Sequence, residues 1–280
     1  GGGAAASVSV LNDRSDGFPY QPAAQNCFAL NGYTFRPPRL TDAVHLDERG
    51  RATVVWTSGD GVLVGATREP SGGWSAPAPL SGPSPVQSGE PALSGNARGD
   101  LALAWVRADQ VQLVLRPADG SWGPIRTLSR PGQRFVGFGG PSVAVGPSGE
   151  VIVTWSSIGA SHVTRVGGGG VAISGSPHFE VAAGSVAGGM GGARILPLDR
   201  NVLDPQSSVV AIDGRGVPVL ASSVGVDGVS VTDLDPASGL PVAGTTTRLT
   251  LPAIPRALGG GSSFSGPILA VGPGGDTLVA

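Results

Sequence analysis

An all-β propeller of four-stranded blades is predicted by three observations. One plan recurs along the chain: an alternating apolar run, a short Gly-containing turn, then a second alternating run. It occupies residues 43–56, 91–105, 141–155 and 208–222, and starts again over 267–280. In three copies the turn glycine (Gly50, Gly99 or Gly149) stands six residues before Trp56, Trp105 or Trp155, which spaces the tryptophans by 49 and 50 residues. A second plan follows the first: Trp74 leads to Leu80-Ser81 and Trp122 to Leu128-Ser129. A period of this length, holding several short strands, is the sequence sign of a propeller.

The elements follow in order. Residues 1–41 form a leader that ends in a piece of the second plan. Thr34-Phe35 runs to Leu40-Thr41, with Tyr33 and Phe35 bracketing the aromatic position, and residues 7–11 supply a strand before it. The first blade, 42–90, has strands near 43–47, 51–57, 61–68 and 74–80, with Asp60-Gly61 as a hairpin turn. The second, 91–140, has strands near 91–95, 100–106, 110–117 and 122–129, with Asp119-Gly120 as its outer turn. The third, 141–206, opens with 141–146 and 150–156 and then turns irregular; the glycines at 167–170 and 188–192 are placed in an expanded outer half or a loop. The fourth, 207–266, has strands near 207–212, 216–222, 227–233 and 242–249. The last stretch, 267–280, carries two inner strands near 267–271 and 275–280. Prolines in the fourth strands fit an edge that lacks a partner. Joining the last two inner strands to the N-terminal outer ones gives one domain of five blades; the alternative is a fragment of a six- to eight-bladed propeller.

Within a blade the alternation places Val151, Val153 and Trp155 on one face and Ile152 and Thr154 on the other. Both faces are apolar, as stacking of blade on blade requires. Trp56, Trp105 and Trp155 are therefore expected at equivalent core positions, with Ser222 taking that place in the fourth blade.

Composition agrees. The 47 glycines and 25 prolines, about a quarter of the 280 residues, fall mostly between apolar runs and read as turns between many strands. A formal charge of −2 gives no electrostatic case for nucleic acid or an anionic membrane, and the 18 basic residues are all arginine. No apolar run approaches the roughly 20 residues that span a bilayer. The chain does not begin with Met, so residues 1–7 fit a mature end after signal removal or a cut inside a longer gene product. Cys27 is the lone cysteine, which excludes an intrachain disulfide and a Cys-based metal site; it is expected to be a small buried residue. A monomer is expected.

With its Asp/Asn-x-x-Gly turns, Trp-ended strands and the later strand Trp74-Ser75-Ala76-Pro77, the chain resembles the propeller repeats of secreted bacterial proteins over residues 33–280. Such repeats are grouped loosely with sialidase-like propellers. The resemblance implies a secreted or cell-surface setting. The Asp-box of sialidases, Ser-x-Asp-x-Gly-x-x-Thr-Trp, has only a distant echo in Asp47-Glu48-Arg49-Gly50, where Trp56 stands six residues past the glycine. That family's catalysis needs a tyrosine nucleophile paired with an acid; the only tyrosines, Tyr20 and Tyr33, lie in the leader without a flanking Glu. This counts against sialidase chemistry.

Other chemistry is not signalled. His45, His162 and His178 have no spacing suited to a metal or a nucleophilic relay. His45 reads as a satisfied core residue, His162 and His178 as loop residues. Gly-x-Ser-x-Gly has no strand–helix context, no helix is predicted, and Gly-x-Gly carries little information in so glycine-rich a chain. Asp227, Asp233 and Asp235 lack an EF-hand frame. No cofactor and no metal are expected. The inner-hairpin turns are short and alike, which marks a structural end, whereas the opposite loops vary, and variable loops on a rigid scaffold usually carry binding. Those loops hold Asp60, Glu90, Arg107, Asp109, Arg130, Arg134, Phe135, Phe138, His162, Asp227 and Phe264. The most pointed stretch runs from Arg130 to Phe138. The expected function is a non-catalytic extracellular binding or scaffold module that recognises glycan or protein through this face. The alternative is a sialidase-like glycosidase or lyase with a degenerate motif set. Its carboxylate pair, about 5–10 Å apart, would come from Asp60, Glu90, Asp109 and Asp227.

Overall fold

The computed structural model describes residues 44–82, 91–130, 134–135, 140–158, 163–166, 170–173, 177–197, 208–224, 228–250, 269–272 and 274–279. Every regular element among them is a β-strand. The first sheet is an antiparallel meander of β1 (Val44–Leu46), β2 (Ala52–Thr57), β3 (Leu63–Arg68) and β4 (Ala78–Pro79). The second repeats it with β5 (Ala92–Gly95), β6 (Leu101–Arg107), β7 (Gln110–Arg116) and β8 (Arg126–Thr127). The third is more elaborate. After the short β9 (Arg134–Phe135) come β10 (Ser142–Val145) and β11 (Glu150–Ile158), then a separate hairpin of β12 (Val163–Val166) and β13 (Gly170–Ile173). The chain returns to this sheet with β14 (Pro177–Ser185), which carries β15 (Gly189–Met190) and β16 (Arg194–Ile195), while β9 pairs with β11. The fourth sheet orders β17 (Ser208–Ile212), β18 (Pro218–Val224), β19 (Gly228–Asp233) and β20 (Thr247–Thr250). A last pair joins β21 (Leu269–Val271) and β22 (Thr277–Val279).

The leading strands β1, β5, β10, β17 and β21 touch in that succession. Sheets therefore stack face to face around a common line of inner strands, which is a propeller of four-stranded blades. Alternation decides which neighbour each side chain meets. In β6, Ala102, Ala104 and Val106 pack with Val151, Val153 and Trp155 of the third blade. Leu103 and Trp105 pack instead with Val55, Leu63 and Leu80 of the first. On the far side of the third blade, Ile152, Phe179 and Val181 meet Val210 and Leu220 of the fourth. Arg116 adds a polar clamp between the first two blades. Its buried guanidinium donates to Thr53 Oγ1 and Thr67 Oγ1, both at 3.0 Å, and lies 5.3 Å over the Trp122 ring.

Three expectations change. The outer strands foreseen over 74–80 and 122–129 shrink to two ladder residues each, because Pro77, Pro79 and Pro124 cannot donate to a ladder; Trp74 keeps only an isolated bridge to Arg68. Trp105 and Trp155 are each 1% exposed, but Trp56 is half-buried. Its face of the first blade, with Val44 and Leu46, points away from the second. The glycine stretch at 188–192 falls in the expanded outer half foreseen as one of its two places, with Gly189 in β15. There the missing side chain of Gly184 lets the Gly189 carbonyl come against it, closer than a Cβ would allow. His178 lies in β14 and not in a loop. The proposed N-terminal strands of the closing blade, over 7–11 and 28–41, and Cys27 lie outside the described residues.

The inner-hairpin turns are locked to one another. Gly50, Gly99, Gly149, Gly216 and Gly275 all have φ between 80° and 95°, which is why glycine recurs there. Asp47 Oδ1 accepts from Arg49 N–H (3.0 Å) and Arg51 N–H (2.9 Å), and Asp213 Oδ1 accepts from Arg215 N–H (2.8 Å) and Val217 N–H (2.9 Å). Bonds then cross between blades. His45 Nε2 donates to the Asn96 carbonyl at 3.0 Å, and Asn96 Nδ2 donates to the Gly146 carbonyl at 2.9 Å. Arg51 reaches the Ala118 carbonyl at 2.5 Å. His45 is thus a hydrogen-bonded, half-buried residue, with its pKa lowered by burial despite the opposing bond to Asn96. At this end, bonds between the turns hold the first three blades in register.

Candidate functional site

The opposite end is where the blades differ. In each blade the last part of the second strand faces a fixed partner on the third: Trp56 opposite Val64, Trp105 opposite Gln112, Trp155 opposite Glu180 and Ser222 opposite Ser230. In the second blade the pair is self-sufficient, since Trp105 Nε1–H donates to Gln112 Oε1 at 3.1 Å. The third blade replaces that amide by a carboxylate, and the Glu180 side chain is 0% exposed.

A buried carboxylate needs partners. Arg130, which follows Leu128-Ser129 at the end of the second blade, donates from Nε (3.1 Å) and Nη2 (2.7 Å) to Glu180 Oε1. His178 Nε2 lies 3.5 Å from the same oxygen. Glu180 Oε2 is buried with no hydrogen-bond partner among the described residues, and so is Ser157 Oγ, whose residue stands directly across the ladder from His178. Ser157, His178 and Glu180 share the face that looks toward the second blade, because they alternate with residues that pack on the fourth. Two unpaired buried oxygens beside a cation and an imidazole are unusual in a propeller interface, where buried polar atoms are normally satisfied.

The first junction holds a second version of the socket. Arg107, two residues past Trp105, corresponds to Ser157, and Gly82, after Leu80-Ser81, corresponds to Arg130. The Leu-Ser pairs are anchored alike: Ser81 Oγ accepts from Leu63 N–H at 3.0 Å and Ser129 Oγ from Val111 N–H at 2.7 Å. The Arg107 guanidinium lies against Gly82, where a Cβ would run into Nη1. Each junction thus holds one arginine of the second blade, Arg107 against Gly82 at the first and Arg130 on Glu180 at the second. The hairpin that carries Arg107 turns through Ala108 (φ 49°) and Asp109 (φ 61°), two non-glycine residues in the left-handed region that a two-residue hairpin of this kind requires.

The residues expected at this end divide into three groups. Arg107, Asp109 and Arg130 lie at the two junctions. Arg134 and Phe135 form β9, opposite Ile158 and Ser157 respectively, so they adjoin the second socket in the ladder. Asp60 shapes its own hairpin: its carboxylate accepts from the Ser58 hydroxyl and, at 3.5 Å, from Val62 N–H, and the Ser58 bond holds its pKa down. Glu90, Phe138, His162, Asp227 and Phe264 lie outside the described residues. Sequence reasoning missed Ser157, His178 and Glu180. The signal was there: aligning Leu196 with Leu128 sets Glu180 on Gln112, at a position otherwise held by neutral residues.

Of these groups the Arg130 guanidinium is part-exposed and can donate N–H bonds outward, whereas the Glu180 carboxylate and the Ser157 hydroxyl are buried behind it. Among the described residues no group of three or more His, Cys, Asp or Glu side chains is arranged to hold a metal ion, and no helix is long and apolar enough to cross a membrane.

No family model matches this chain, and no curated protein does. Solved structures do. They include an α-L-arabinanase of Penicillium chrysogenum complexed with arabinobiose, at 15% identity and a TM-score of 0.41, matched over 79% of this chain and 67% of that one. An ulvan lyase described as a new polysaccharide lyase family matches at 13% identity and a TM-score of 0.45, over 82% of this chain and 60% of that one. A Synechocystis apocarotenoid oxygenase matches at 14% identity and a TM-score of 0.44, over 89% of this chain and 58% of that one. The chain therefore spans about three fifths to two thirds of these proteins. An arabinanase, a lyase and an oxygenase differ in activity from one another.

Proposed function

We propose that this chain is a non-catalytic extracellular binding module that recognises a glycan at the loop-bearing ends of its first three blades. One observation carries the reading. The turn ends are knit together by repeated cross-blade hydrogen bonds, while the loop-bearing ends break the repeat with two differently built arginine sockets. Structural demands recur with the blade; a ligand contacts particular blades and leaves the repeat free to diverge there. Sugar hydroxyls accept hydrogen bonds, which suits a socket whose part-exposed arginine offers guanidinium N–H groups. The extracellular setting rests on the resemblance of the repeats to those of secreted proteins.

A second reading has its own support. Glu180, His178 and Ser157 converge on one face, so a carboxylate, an imidazole and a hydroxyl are close enough to serve a glycosidase or lyase. Against it stands the commitment of Glu180 Oε1 to two Arg130 N–H donors, in a side chain that is 0% exposed. A glycan array and a panel of glycoside and polysaccharide-lyase substrates, run on one sample, separate the two. Saturable binding without turnover, weakened by Arg134→Ala or Phe135→Ala, is the expected result. Turnover lost in Glu180→Gln, with the fold intact, overturns the binding reading.

A further inference from the structure

We infer that Arg107 is an oxyanion-recognition point for an acidic glycan, one carrying carboxylate or sulfate groups, at the junction of the first and second blades. The inference rests on the glycan-binding reading above and adds the charge of the ligand.

The argument is a comparison of two sockets within one chain. At the junction of the second and third blades the arginine has a counter-charge built into the sheet: Arg130 meets Glu180 through two nitrogens at 3.1 and 2.7 Å. At the first junction the same ladder position holds Gln112, whose Oε1 is taken by the Trp105 indole. Arg107 brings the guanidinium in from the other blade, seats it on Gly82, and makes no hydrogen bond or ion pair with a described residue. A guanidinium carries its charge at every accessible pH and matches carboxylate and sulfate geometry with paired N–H donors. The second socket shows what such an arginine takes as its partner in this scaffold, namely a carboxylate. In the first socket no such partner stands among the described residues, and a ligand can supply it.

Its placement suits that role. The side chain is half-buried at the loop-bearing end, with its guanidinium against Gly82. The next two residues hold the left-handed turn, which sets the direction in which Arg107 leaves the strand.

The experiment uses the full chain and four immobilised probes of similar length: an oligogalacturonide, its methyl ester, a sulfated galactan oligomer and a poly-glutamate peptide. Binding of the oligogalacturonide, the sulfated oligomer or both, well above the methyl ester and the peptide, is expected. Arg107→Gln should weaken that binding about tenfold or more, with an unchanged melting temperature. Gln112→Glu is the sharper variant. It installs the built-in carboxylate of the second socket, can still accept from the Trp105 indole, and should weaken acidic-glycan binding to a similar extent. Wild-type affinity in both variants overturns the inference, as does equal binding of the methyl ester. Either outcome leaves the glycan reading standing on the neutral probe. Equal or tighter binding of poly-glutamate overturns the assignment to glycan. Failure of every oligosaccharide on the array and among these probes removes the glycan reading and the inference with it.

Discussion

Replacing Trp105 by Ala tests the packing logic most sharply, because the same change at Trp56 is an internal control. Trp105 is 1% exposed and fills the gap between blades with Val55, Leu63, Leu80, Leu103 and Val114 around it. Truncating a large aromatic in such a site costs about 3–5 kcal/mol through lost transfer free energy and the cavity left behind. Loss of the indole N–H bond adds little, since Gln112 is half-buried and water can replace the donor. Trp56 occupies the same strand position, but its face points away from the second blade and it is half-buried. Its removal should therefore cost roughly half as much, about 1.5–2.5 kcal/mol, in proportion to the apolar area withdrawn from water. Urea unfolding of the two variants beside the parent gives both numbers. A loss below about 1 kcal/mol for Trp105→Ala, or equal losses at the two sites, would refute the assignment of faces.

Three further outcomes follow from the same geometry. Burial pushes the Asp213 carboxyl up, but N–H donation from Val217 and Arg215 and the Arg215 guanidinium outweigh it and hold the group below its ordinary value. A depressed carboxylate stabilises the fold above its unfolded pKa of about 3.9 and loses that contribution as pH falls through the lower folded value. Asp213→Ala should thus cost about 1–3 kcal/mol at pH 7, with a deficit that narrows below about pH 4; a deficit constant across this range in urea titrations argues against the mechanism. Ala108→Gly relieves a left-handed alanine and should leave the melting temperature unchanged or raise it, by up to about 1 kcal/mol in stability, whereas Ala108→Val should lower it; the reverse order in thermal melts contradicts the turn assignment. We also expect deletion of residues 1–41 to destabilise the domain sharply. Val44, Leu46 and Leu278 are left exposed on the first and last described sheets, which matches apolar faces that await a closing blade; normal folding of the deletion favours a fragment of a larger ring.

The fold was legible because its signal is repeated. Alternation in Val151-Ile152-Val153-Thr154-Trp155 sorts correctly onto two interfaces, and Gly50, Gly61, Gly99, Gly149, Gly216 and Gly275 have positive φ at foreseen turns. Two features blurred the third blade. The glycines around 167–170 and 188–192 hid a nine-residue strand between them, so His178 looked like a loop residue. Glu180 stands between Phe179 and Val181, two residues that announce a buried strand but say nothing of what the intervening side chain meets. Its role depends on Arg130, fifty residues away and on another blade. Trp56 was overcounted as core because burial depends on a neighbouring sheet, which the residue's own strand does not encode. The arginine at 107 was identifiable as a loop cation, but its seat on Gly82 comes from blade stacking and not from local sequence.

The central claim is that one end of the propeller holds the blades together and the other binds. Hydrogen exchange with and without the best-binding oligosaccharide tests it directly. Ligand-induced protection is predicted in the backbone around 106–112, 128–130, 134–135 and 178–181, with no change at the turns around Gly50, Gly99, Gly149 and Gly216. Protection concentrated at those turns, with the two arginine junctions unaffected, would contradict the account.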